Sequence, residues 1–146
     1  MPFTVLIVED FEPFRKFIRA TLEKLPEVRI IGEVSDGLEA VRKVEELRPD
    51  LILLDIGLAT LNGIEAARRT RRSIPECKII FLSQESSADV VEEAFRLGAL
   101  GYVVKARAGS ELQDAVQAVS EGRRFISKEV LNHDFPYRAD SQARCR

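Results

Sequence analysis

The sequence predicts an α/β fold: a five-stranded parallel sheet with helices on both faces, a (βα)5 chain. Three observations predict it. Short aliphatic and β-branched runs recur at Phe3 to Val8, Arg29 to Val34, Leu51 to Leu54, Lys78 to Leu82 and Tyr102 to Val104. Runs of this kind suit strands buried on both faces. Helix-period segments lie between them, as parallel crossovers require. At 146 residues, 45% of them hydrophobic, the chain has the size of one domain around one core.

The elements follow in order from period and caps. After the first strand, Phe14, Phe17, Ile18, Leu22 and Leu25 fall at helical spacing, and Pro26 closes that first helix. The second strand, Arg29 to Val34, runs into a turn at Ser35 to Gly37. Leu38, Val41, Val44 and Leu47 then mark one face of the second helix, which ends before Pro49. Leu51 to Leu54 is the third strand. Asn62, with Glu65 three residues on, starts a third helix running to about Ser73, with an apolar stripe of Ile64, Ala67 and the Arg71 stem. Ser86 or Ser87 opens the fourth helix, Val90, Val91, Ala94 and Phe95 face the core, and Gly98 provides a left-handed stop. Ser110 and Gln113 read as a capping box for the fifth helix, with Leu112, Ala115, Val116 and Val119 inward and Gly122 as its stop. Residues 1–127 form the folded domain; residues 128–146 are expected to fray, after at most one extra turn.

Composition excludes several function classes. Lys and Arg number 22 against 24 Asp and Glu, a net charge of −2, with no clustered basic face of the kind that binds nucleic acid. Arg68, Arg69, Arg71 and Arg72 read as the solvated side of a helix. No apolar run spans a bilayer and no export signal opens the chain, so a cytoplasmic protein with no membrane contact is expected. Cys77 and Cys145 have no metal-ligand spacing and suit a reducing compartment. His133, the only histidine, lies in the tail, which weighs against a Ser-His-Asp hydrolase or a histidine metal centre.

The functional signal lies where the strands stop. Four runs end at polar residues: Glu9 and Asp10, then Asp55, then Ser83, then Lys105. Parallel strands of one open sheet end on a common edge, so these side chains should meet in one crevice. Taken singly, an Asp after a strand is a turn or cap residue; the conjunction reverses that reading. Together with Gly57, and in this order, the set resembles the receiver domain of bacterial two-component response regulators over about residues 3–127. Leu97-Gly-Ala-Leu-Gly-Tyr-Val-Val-Lys105 and Glu121-Gly-Arg-Arg-Phe-Ile-Ser127 resemble the branch whose receiver precedes a LuxR-type helix-turn-helix domain. The resemblance implies a flavodoxin-like strand order, 2-1-3-4-5, and a tail at 128–146 that is an end or a truncated linker to an output domain.

Asp55 is then the expected phosphoryl acceptor, since a carboxylate attacks phosphorus in line once charge on the incoming oxygens is neutralised. Three acids in one crevice repel one another, and a hard divalent cation removes that penalty. Mg²⁺ is therefore the expected cofactor, with Asp10 and Asp55 as direct ligands, the Gly57 carbonyl as a third and Glu9 acting through water. Glycine at 57 is expected to permit the sharp turn this needs. Lys105 would pair with one phosphoryl oxygen and Ser83 would donate to another. The resemblance further implies that Tyr102 swings inward as Ser83 moves, reshaping the surface of the fourth helix, fifth strand and fifth helix. It also implies a sensor histidine kinase as donor, a homodimer on activation, and DNA contact only through an output domain outside this chain.

Alternatives were set by particular residues. A Mg²⁺-dependent aspartyl phosphatase generally has a second Asp two residues after the nucleophile, where this chain has Gly57. A receiver-like module that is never phosphorylated is opposed by the intact acids, Ser83 and Lys105 and kept open by Gln84, bulkier than the usual small residue and placed to narrow access to Asp55. Flavin binding on the same fold lacks a hydroxyl-rich loop after the first strand. Ala59 and Ala106 stand where the family commonly has prolines, and Gly57 and Glu85 occupy positions that tune phosphoryl lifetime in the family.

Overall fold

A computed structural model describes residues 2–58 and 61–131. In chain order it holds β1 (Phe3–Val8), α1 (Glu12–Leu22), β2 (Val28–Val34), α2 (Gly37–Leu47), β3 (Leu51–Asp55), α3 (Gly63–Ser73), β4 (Lys78–Ser83), α4 (Ala88–Arg96) and β5 (Gly101–Val104). A 3-10 turn at Lys105–Arg107 leads into α5 (Ala108–Ser120), β6 (Phe125–Ile126) and α6 (Lys128–Leu131).

The sheet is parallel throughout, in the order β2-β1-β3-β4-β5-β6. Its first five strands carry the expected flavodoxin-like order. The sixth corrects the expected count of five. α5 stops at Gly122, whose φ of 81° few other residues adopt, and the chain turns back along β5. Phe125 N–H then donates to the Leu100 carbonyl at 2.9 Å and Ser127 N–H to the Tyr102 carbonyl at 2.8 Å. Two residues are too few to show a strand period.

Alternation along the strands builds two cores. Val5 and Ile7 pack with Ile18, Leu22, Leu112, Ala115, Val116 and Val119, so α1 and α5 cover one face. Leu6 and Val8 pack with Ala40, Val44, Ala66, Ala67, Val91 and Ala94, so α2, α3 and α4 cover the other. β3 and the apolar part of β4 are buried on both sides, as central parallel strands must be.

The caps divide into those that follow their local signals and those that do not. Asn62 accepts from Glu65 N–H at 2.9 Å and Ser87 from Val90 N–H, and Gly98 sits at φ 97°. Asp36, read as part of a turn, caps α2 through Glu39 N–H at 2.8 Å. Leu38 is 45% exposed, and Ala40 takes its expected place in the core. The Ser110–Gln113 capping box is absent: the 3-10 turn feeds α5 three residues earlier, Ser110 Oγ donates to the Arg107 carbonyl, and Gln113 Nε2 donates to the Thr21 carbonyl on α1. Val130 on α6 is fully buried and belongs to the core.

Arg68 and Arg69 pair with Glu65, consistent with a solvated helix side. Cys77 is buried and free, and burial pushes its thiol up to about 12. Cys145, His133 and Ala59 lie outside the described residues. No helix among the described residues is long and apolar enough to cross a membrane.

Candidate phosphoacceptor site

Each candidate side chain stands where its strand runs out. β1 ends at Val8, and Glu9 N–H still bonds the Val34 carbonyl of β2 at 3.0 Å, which holds the backbone extended one residue further. Asp55 and Ser83 are the last residues of β3 and β4, and Lys105 follows β5 directly. Because β1, β3, β4 and β5 are neighbours in that order, their ends lie side by side at roughly 4.8 Å spacing per strand. They open onto a cleft of about 740 Å³ lined also by Asp10, Phe11, Phe14, Gly57 and Gln84.

The site is built around opposed charge. Glu9, Asp10 and Asp55 each offer a carboxylate oxygen, and these oxygens lie within 4.8 Å of one another. Glu9 and Asp55 are buried while Asp10 is exposed. Lys105 Nζ lies 2.9 Å from Glu9 Oε1 and 3.3 Å from Asp55 Oδ2. Burial holds the Glu9 carboxyl above the usual carboxylate range; the adjacent Lys105 ammonium opposes that push, and the Asp55 charge adds to it.

Backbone and neighbours fix these groups. Asp55 Oδ1 accepts from Gly57 N–H at 2.9 Å and Glu9 Oε2 from Phe11 N–H at 3.0 Å. Glu9 and Asp10 do not cap α1: Phe11 occupies that position without a side-chain bond. Gly57 has no left-handed backbone, and an added Cβ would meet only Asp55 Oδ1, at 3.7 Å. The turn after Asp55 is therefore one that glycine permits but that does not require it. Glycine is demanded at Gly63 instead, where a Cβ would stand 2.3 Å from the Asp55 carbonyl oxygen. This close approach lets Gly63 N–H bond the Ile56 carbonyl at 2.9 Å and seats α3 under Asp55.

Ser83 Oγ accepts from Glu85 N–H at 2.9 Å. Tyr102 is fully buried, beyond the half-buried position of an ordinary edge aromatic, and its hydroxyl donates to the Glu85 carbonyl at 2.9 Å. Burial pushes its phenol up to about 12. Gln84 and Glu85 are exposed at the cleft mouth. No cis peptide occurs among the described residues, Ala106 included.

Two contributors escaped the sequence reading. Arg15 donates to the Glu9 carbonyl at 2.9 Å and pairs with Glu33 at 3.4 Å, tying the acidic loop to β2. Phe14, assigned only to the core, also lies under Lys105, whose Nζ is 5.1 Å from the ring centroid. The spacing of Phe11 and Phe14, three apart on a helix start, was the available signal. The donors presented are all hard oxygens, gathered closely and carrying excess negative charge, which fits a small divalent cation such as Mg²⁺.

Comparison with known proteins bears on the same residues. The family of the response regulator receiver domain matches residues 5–117. The transcriptional regulatory protein LiaR of Bacillus subtilis is 38% identical over 126 residues, which is 86% of this chain and 60% of LiaR. The response regulator protein VraR of Staphylococcus aureus is 32% identical over 131 residues, 90% of this chain and 63% of VraR. The chain thus spans about 60% of the length of these curated relatives. A crystal structure of a LuxR-family two-component response regulator from Aurantimonas superposes with a TM-score of 0.87 at 28% identity, covering 98% of this chain and 99% of that one. The match begins on β1, runs through every strand end that lines the cleft and stops within α5, and on that ground the chain belongs to the response regulator receiver domain family of two-component systems.

Proposed function

We propose that this chain is a cytoplasmic phosphoacceptor switch that takes a phosphoryl group from a sensor histidine kinase onto Asp55. The observation that carries the reading is the meeting of the Glu9, Asp10 and Asp55 carboxylates with the Lys105 ammonium in one cleft. In the transfer an Asp55 oxygen attacks phosphorus and the P–N bond to the donor histidine breaks. The electron pair leaves on the imidazole nitrogen, which takes a proton from solvent. Asp10 and Asp55 would hold Mg²⁺ with the Gly57 carbonyl, and Glu9 would act through water. When bound, that ion supplies positive charge to oppose the charge on the transferring oxygens.

This chain's own groups do the rest. Lys105 moves from Asp55 Oδ2 to a phosphoryl oxygen, and Ser83 gives up its turn contact to donate to another. Glu85 is bonded to both Ser83 and Tyr102, so movement at Ser83 reaches the Tyr102 hydroxyl through one residue. Phosphorylation then favours one packing of α4, β5 and α5 by contacts made only there. Relatives named as transcriptional regulators support an output in transcription, with homodimerisation on activation and DNA contact through a domain outside residues 1–127. The protein is thus a regulatory phosphoacceptor acting on itself.

Incubation with Mg²⁺ and acetyl phosphate followed by intact mass measurement tests the reading. Wild type is expected to gain one phosphoryl group and Asp55→Asn none. Absence of gain in wild type would select an interaction module that is never phosphorylated, for which Gln84 at the cleft mouth is the favouring observation. Multiple turnover of a phosphomonoester would select a phosphatase.

A further inference from the structure

Lys105 has three partners in the resting cleft, and only two of them are anions. Its side chain is 16% exposed, so its charge has largely left water and must be matched locally. Glu9 and Asp55 provide ion-paired matches at 2.9 and 3.3 Å. The Phe14 ring provides the third, with its centroid 5.1 Å from Nζ, inside the range of a cation–π contact.

That ring has packing partners of its own. Phe14 and Phe17 stand one turn apart on α1 with centroids 5.8 Å apart and planes at 23°. Phe14 packs against the core beneath α1 and α5. Gly109, in the first turn of α5, lies beside Phe17, with room for a Cβ that would make ordinary contact with the ring at 3.7 Å. The aromatic face thus belongs to a helix buttressed by its neighbour, not to the loop that carries the acids.

We propose that Phe14 is a positioning residue for Lys105, holding the ammonium over the acceptor while leaving it free to follow a phosphoryl oxygen. The inference rests on the reading of Asp55 as the acceptor. Once Asp55 carries a phosphoryl group, negative charge lies further out in the cleft and the ammonium must leave Oδ2. A carboxylate partner holds the ammonium by directed bonds that oppose this shift. A ring face attracts the charge over its whole area and accepts no directed bond, so it stays with the ammonium as the Oδ2 contact is given up and favours the shifted position over the resting one.

Fluorinated phenylalanines at position 14 test this, because they keep the ring's shape while weakening the negative potential of its face. The rate constant for phosphorylation by acetyl phosphate is expected to fall stepwise with fluorination. Phe14→Leu should lose about three- to tenfold in rate, and Phe14→Tyr should recover most of that loss. Mg²⁺ affinity by calorimetry should stay within about twofold across the series, because the ring touches no carboxylate. A second readout needs no turnover: the ε-methylene protons of Lys105 should be shifted upfield by the ring current in wild type and lose that shift in Phe14→Leu. The shift should persist when Mg²⁺ and beryllofluoride mimic the phosphorylated state. A flat rate across the fluorinated series would make Phe14 a space-filling residue and overturn the proposal, as would an absent ring-current shift. Wild type that accepts no phosphoryl group would overturn the parent reading itself. The proton shift would then report only that ring and ammonium touch, so the two failures are distinguishable.

Discussion

At the scale of single residues, burial makes a charged Glu9 costly to the fold. Its carboxyl has no exposure to water, and burial raises its pKa more than Lys105 lowers it. A carboxyl whose folded value lies above its unfolded value of 4.5 binds protons more tightly when folded. Its contribution therefore destabilises the fold at neutral pH, and the loss is recovered as pH falls through the raised value towards 4.5. Glu9→Gln imitates the protonated form. In the absence of divalent ions it is expected to raise Tm at pH 8, with the difference from wild type shrinking towards zero as pH approaches 4.5. Asp55, 3.3 Å from Lys105 in wild type, remains as an anionic partner in that variant, so the substitution does not strand a buried ammonium. Thermal melts of both proteins across this range check the sign, and a variant less stable at pH 8 would show that the Lys105 bond outweighs desolvation.

At the scale of elements, α3 and the segment after α5 carry the sharpest consequences. Gly63→Ala gains helix propensity, a fraction of about 1 kcal/mol at a helix start, but places a Cβ 2.3 Å from a backbone oxygen. The steric effect wins: a loss of about 1–3 kcal/mol is expected, seen as a lower Tm, together with slower phosphorylation because the displaced backbone is that of Asp55. The β6–α6 segment is held by backbone bonds from Phe125 to Leu100 and from Ser127 to Tyr102, by Ile126 and Val130 in the core, and by Lys128 N–H donating to Glu111 Oε2 at 3.0 Å. It lies at the sheet edge, where local opening is easiest. Ile126→Ala, worth about 2–5 kcal/mol when a buried side chain of this size is truncated, is expected to speed amide exchange at Phe125 and Ser127 at least about tenfold. Exchange at Leu53 in the central β3 should change less. These elements also show what the sequence made legible. Strand ends and their polar residues were legible because burial on both faces leaves long unbroken apolar runs that stop abruptly. β6 was not, because two residues carry no period. The start of α5 was misplaced because a 3-10 turn, set by where β5 ends, overrode a local capping signal. Gly63 was invisible as a constraint because the contact that requires it joins residues on two different elements. Phe14 was legible as core but not as a partner of Lys105, which approaches from 91 positions later in the chain.

At the scale of the whole molecule, the acids tie the site to global stability. Glu9 and Asp10 follow β1 and Asp55 ends β3, two neighbouring strands at the centre of the sheet. The cluster that would hold a divalent ion exists only when these strands are paired, so the unfolded chain should bind it far more weakly. Ligand that binds only the folded state raises stability by about 2.7 kcal/mol at a concentration a hundredfold above Kd, which for a domain of this size raises Tm by roughly 5–15 °C. Wild type is therefore expected to melt higher with Mg²⁺ than with NaCl of matched ionic strength, and chelation should return it to the metal-free value. Asp10→Asn should remove most of that gain while raising the metal-free Tm by about 1–3 °C, because it deletes one of three mutually repelling charges at an exposed position where water screens the effect. The two shifts run in opposite directions. A general loss of folding would lower both values, and a simple surface-charge effect would leave the Mg²⁺ gain intact, so only a shared ion between the ends of β1 and β3 yields the crossed pattern.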